Sequence, residues 1–142
     1  MTDVLARRTL RQAARPEVID TVHAELDGLW NDASFVPDVD RMTFATAVIE
    51  AASNVVQHAV PESEDPVELG VDISVTPVRL EARVSAFGAA YPDPMDTDAA
   101  MPGGEAESGR GLALIRALVT TVTFRRQEGT NTWILSTSPL HD

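Results

Sequence analysis

Glu50-Ala51-Ala52-Ser53-Asn54-Val55-Val56-Gln57-His58-Ala59 is the stretch on which the fold turns. On a helical wheel drawn from about Arg41 to Val60, Phe44, Ala47, Val48, Ala51, Val55 and Ala59 share one broad apolar face. Glu50, Asn54 and His58 stand four apart and stack as a column along one side. Glu50 falls near the middle of the polar arc, and Asn54 and His58 fall at the seam with the core. A solvated glutamate and a histidine packed at the core edge would account for this pattern. So would a carboxylate and an amide oxygen presented to one ligand, the donors that a hard cation such as Mg²⁺ prefers. Asp38 or Asp40 would cap this helix and Pro61 would close it.

Working outward, Thr9 to Ala13 reads as a short strand. Pro16 suits the first turn of a helix reaching about Asn31, with Val18, Ile19, Val22, Leu26 and Leu29 at helical spacing. Val67 to Val75 and Val78 to Phe87 alternate as strands around a turn at Thr76-Pro77. A helix from Gly109 through Val119 precedes two last strands, Thr121 to Arg126 and Thr130 to Thr137, turned at Gln127-Glu128-Gly129. Helices on one face of a mixed, mostly antiparallel sheet make an α+β two-layer sandwich. The 142 residues suffice for one domain over 1–142, and their composition is globular.

Between the third and fourth strands, residues 88–108 hold three prolines, three glycines, five carboxylates and no basic residue. This composition predicts a long flexible lid. Directly after it comes Ser108-Gly109-Arg110-Gly111-Leu112-Ala113-Leu114. Paired glycines at a helix start let backbone N–H groups approach an anion, and Arg110 would add a charge-assisted contact to a phosphate. A plain loop-to-helix junction explains the same residues. The dinucleotide fingerprint is excluded, because no third glycine stands at the needed spacing.

Charge narrows the partners. The net charge is −11, all eleven basic residues are arginine, and lysine is absent. Such a chain opposes direct binding to nucleic acid and to anionic membranes. Without lysine it carries neither a Walker-type phosphate loop nor a Schiff base. It has no cysteine, which removes disulfides and thiolate metal sites. No apolar run has transmembrane or signal-peptide length, so the expected location is cytoplasmic.

The order of these pieces resembles the Bergerat-fold (GHKL) ATP-binding superfamily of gyrases, Hsp90, histidine kinases and MutL, whose domain is the histidine kinase-like ATPase fold. The small size and the Gly-Arg-Gly-Leu stretch are similar to the bacterial anti-sigma factors that are also serine kinases. The resemblance runs from about residue 9 to 137, and its strongest motifs are the N-box at 50–58 and the second glycine box at 109–111. It implies ATP with Mg²⁺ as cofactor, Asn54 on the metal and Glu50 as general base on a serine hydroxyl of a protein substrate. It implies that Gly88, Gly109, Arg110 and Gly111 line the nucleotide, with Thr130 or Thr132 near the threonine that supports adenine recognition. His58 resembles a family position of mixed role and carries no assigned chemistry. The implied partners are a sigma factor and a STAS-domain antagonist in a partner-switching circuit, and the implied assembly is a homodimer.

One departure bears on all of this. The family's first glycine box is Asp-x-Gly, with an aspartate that accepts from the adenine amino group. The chain has Ala86-Phe87-Gly88 there. Losing a hydrogen bond to a charged acceptor costs about 1.5–3 kcal/mol, roughly 10- to 150-fold in affinity. Asp93 or Asp96 of the lid would be substitutes. Two functions therefore stand side by side: a serine protein kinase and anti-sigma factor, or a nucleotide-independent protein-binding module of the same fold.

Overall fold

The computed structural model describes residues 3–92 and 107–141, with the backbone alone for 107–112. Among the described residues there are five strands and three helices. They are β1 (Ala6–Ala13), α1 (Val18–Asp32), α2 (Asp38–His58), β2 (Glu68–Val75), β3 (Leu80–Phe87), α3 (Glu107–Leu118), β4 (Thr121–Gln127) and β5 (Thr130–Thr137). The strands form one sheet in the order β1-β2-β3-β5-β4. The expected α+β sandwich is present, and every strand pairing described is antiparallel. The topology explains this: β5 turns back from β4 and inserts beside β3, which leaves β4, running with β3, on the edge.

Alternation along the strands separates two faces. Leu69, Val71, Ile73 and Val75 of β2, Leu80, Ala82, Val84 and Ala86 of β3 and Leu135 of β5 point into the core. They meet Val22, Leu26 and Leu29 of α1 and Phe44, Val48 and Val55 of α2. The other sheet face carries no helix among the described residues. There Phe87 lies over Gly70, where an added Cβ would collide with its ring. The Arg11 guanidinium sits 3.7 Å from the centre of that ring.

β1 begins three residues earlier than expected. Its inward Arg8 is neutralised over Gly28 of α1, at 3.0 Å from Asp32 and 3.5 Å from Glu25. The hydrogen bond to Asp32, then its charge, raises the Arg8 pKa. Outward Arg7 is likewise raised by its hydrogen bond and charge pairing with Asp72.

α2 starts at Asp38 rather than Arg41. Pro37 takes the cap position in extended conformation, and Asp38 and Asp40 lie in the first turn, where the helix dipole favours negative charge. Asp40 is fully buried. Its carboxylate accepts from the His141 backbone N–H at 2.8 Å and faces His141 Nδ1 at 2.6 Å. At the other end the helix stops at His58, because Ala59 is extended.

Candidate functional site

The small side chains of Ala47, Ala51 and Ala52 are buried and bring α2 close to the sheet. That packing fixes the rotation of the helix and so the direction of its polar column. Glu50, Asn54 and His58 are all half-buried. Neither the Glu50 nor the Asn54 side chain has a hydrogen-bond or ion-pair partner among the described residues. His58 Nε2 is buried without a partner. Polar groups half-buried on one helix face, with no partner among the described residues, are open to a ligand or to water.

Helix α3 packs against α2, and Ile115 seals it to the core. Gly109, Arg110 and Gly111 lie in the first turns of α3. The glycine turn is therefore helical from Glu107, two residues ahead of the expected start. The structure brings the helix of the second glycine motif onto the helix of Glu50 and Asn54. The placement of the Arg110 side chain falls outside the described residues.

The expected lid divides. Residues 93–106, with Asp93 and Asp96, lie outside the described residues, and Glu107 and Ser108 belong to α3. Its first residues are fixed. Gly88 has a positive φ of 75°. Its N–H donates to Gly129 O at 2.9 Å, and its carbonyl accepts from Glu62 N–H at 2.9 Å. Ala89 bridges Pro61, and Ala90 N–H donates to Val60 O at 2.7 Å.

Ala86 is fully buried on the face of β3 that looks toward the helices. Thr130 and Thr132 are on the opposite face. Their register partners are Phe87 and Ser85, and the Ser85 and Thr132 hydroxyls meet at 3.0 Å. Both threonines line a concavity of about 320 Å³ with Arg83, Arg125 and Gln127 on the outer face of the sheet. The structure does not bring either of them to Asn54. The reason is the period of two: Leu135 faces the core, so Trp133 and Asn131 share its side and the threonines cannot.

The inward residue between them is Asn131, which sequence reasoning passed over. It is 2 % exposed and pairs in register with Ala86. Its Oδ1 accepts from Arg126 at 2.7 Å, and its Nδ2 donates to Ala90 O at 2.8 Å. Arg126 also donates to Ala89 O at 2.9 Å and to Glu62 at 2.6 Å. The signal was available in the alternation Asn131-Trp133-Leu135.

No group of three or more metal-ligating His, Asp or Glu residues occurs among the described residues. Glu50 and Asn54 offer oxygen donors that fit a Mg²⁺ carried in with phosphates rather than a metal caged by protein. No described helix is long and apolar enough to cross a membrane.

Residues 12–136 match the family described as histidine kinase-like ATPase domain. No curated protein sequence matches significantly. Among solved structures, the RsbU and RsbW domains of Rv1364c from Mycobacterium tuberculosis superpose with a TM-score of 0.70 at 17 % identity. That match covers 96 % of this chain and 33 % of the other, so this chain spans about a third of its length. The catalytic domain of the histidine kinase ThkA, in a nucleotide-free form, superposes with a TM-score of 0.56 at 12 % identity, covering 95 % and 99 %. At these identities the likeness is one of fold.

Proposed function

The chain belongs to the histidine kinase-like ATPase domain family, and we propose that it is a regulatory ATP-binding protein of the anti-sigma factor type. In this reading it binds a sigma factor and phosphorylates a serine of a STAS-domain antagonist. The observation that carries it is the half-buried Glu50 and Asn54 on α2, without a partner among the described residues, with the Gly109–Gly111 helix packed alongside. Asn54 would take Mg²⁺ together with the nucleotide phosphates, and the metal would supply charge neutralisation at the transferring group. Glu50 would accept the serine proton, a role that needs a carboxylate not already committed to a partner. Gly88 and the residues 109–111 would border the nucleotide. The fold shared with a chain that contains an RsbW domain supports the reading, as does the absence of lysine, which turns phosphate binding toward backbone groups and arginine. A homodimer in the cytoplasm goes with it.

Ala86 favours a second reading, a protein-binding module independent of nucleotide. Calorimetric titration of Mg·ATP and Mg·ADP into the protein separates the two. Micromolar binding that weakens without Mg²⁺ supports the first, and silence to millimolar supports the second. With a partner in hand, Glu50→Ala is expected to abolish phosphate transfer and leave partner binding intact. Transfer by that variant would overturn the base assignment.

A further inference from the structure

We infer that Asn131, oriented by Arg126, reads the nucleotide base in place of the carboxylate absent at Ala86. The inference rests on the nucleotide reading above. Three observations carry it. Asn131 stands directly across the β3–β5 ladder from Ala86, on the same inward face. It is 2 % exposed yet, among the described residues, uses one amide hydrogen and one lone pair. A side-chain amide has two of each, so one donor and one acceptor remain for a ligand. Lastly, the amide cannot turn over. Arg126 only donates and Ala90 O only accepts, so a flipped Asn131 would set N–H against N–H and oxygen against oxygen.

A fixed amide distinguishes purines. On its Watson–Crick edge adenine presents an amine donor beside the N1 acceptor, which matches an amide oxygen beside an amide N–H; guanine presents a carbonyl acceptor beside N1–H on the same edge. With the phosphates holding the base in one orientation, Asn131 accepts from the adenine amino group and rejects the guanine carbonyl. Arg126 is the positioning residue, and its pairing with Glu62 at 2.6 Å ties the reader to the chain after α2. A neutral amide here also avoids placing a second carboxylate beside Glu62.

The test is titration of Mg·ATP and Mg·GTP into the native chain, Asn131→Ala, and Asn131→Ala with Ala86→Asp. The native protein is expected to prefer ATP by about tenfold or more. Asn131→Ala is expected to lose both that preference and about tenfold in ATP affinity, and Ala86→Asp to restore the preference from the neighbouring strand. A fold defect alone would not be repaired by that second change. In parallel, the Asn131 side-chain amide signals of the ¹⁵N-labelled native chain should shift with Mg·ATP. Unchanged discrimination in Asn131→Ala, or amide signals unmoved at saturation, overturns the inference and leaves the nucleotide reading standing. A native chain that binds neither nucleotide overturns both.

Discussion

Arg125 and Arg126 are neighbours in β4, and the sheet sends them to opposite sides. Arg125 lines the outer concavity with Thr130 and Thr132 and makes no ion pair among the described residues. Arg126 points inward and joins Asn131, Glu62 and the chain after β3 in one bonded corner. The same residue type is solvated on one face and committed on the other. Along β4 the side of the sheet decides what the arginine does, because only the inward one reaches Asn131 and the chain after β3.

Substitutions that should be unequal across the two faces sharpen this contrast. Leu135→Ala, inward on β5 and fully buried, is expected to lower stability by about 2–5 kcal/mol in urea unfolding. Gly70→Ala is the exception predicted on the outer face, at about 1–3 kcal/mol, because a methyl must displace the Phe87 ring. Asn54→Ala should weaken Mg-dependent nucleotide binding about tenfold, read by titration with and without Mg²⁺, while the unfolding midpoint stays near native. Ile134→Ala, beside Leu135 but outward, should cost less than about 1 kcal/mol. A loss equal to that of Leu135→Ala would erase the distinction between the faces. Smallest of all, Thr130→Val and Thr132→Val should leave nucleotide affinity within about threefold, and a tenfold drop would put the binding face on the wrong side.

Most of the fold was legible because it is periodic. The span of β5, Thr130–Thr137, follows from alternation bounded by a Glu128-Gly129 turn, where both residues take positive φ. The column Glu50-Asn54-His58 follows from helical spacing, and the structure leaves it half-buried on α2. The threonines lie away from Asn54 for a local reason. Thr130 and Thr132 must share a face, and the inward Leu135 assigns them the outer one, a step that needed the strand read to its end. Other features were beyond any local pattern. The Arg126–Glu62 pair joins residues 64 apart, and the Asp40–His141 pair joins residues 101 apart. An aspartate at the start of a helix reads as a cap, and nothing nearby announces that this one is buried.

That aspartate has a mechanical consequence. α2 is clamped at its first turn by His141 and just past its last turn by the Val60–Ala90 and Pro61–Ala89 contacts. A rod held at both ends and seated on alanines resists sliding and rolling, which fixes Glu50 and Asn54 relative to the sheet. Amide hydrogens across the middle of α2 should therefore exchange among the slowest in the molecule. Their rates should change little between the free and nucleotide-bound protein, with the response to ligand falling on elements outside the clamp.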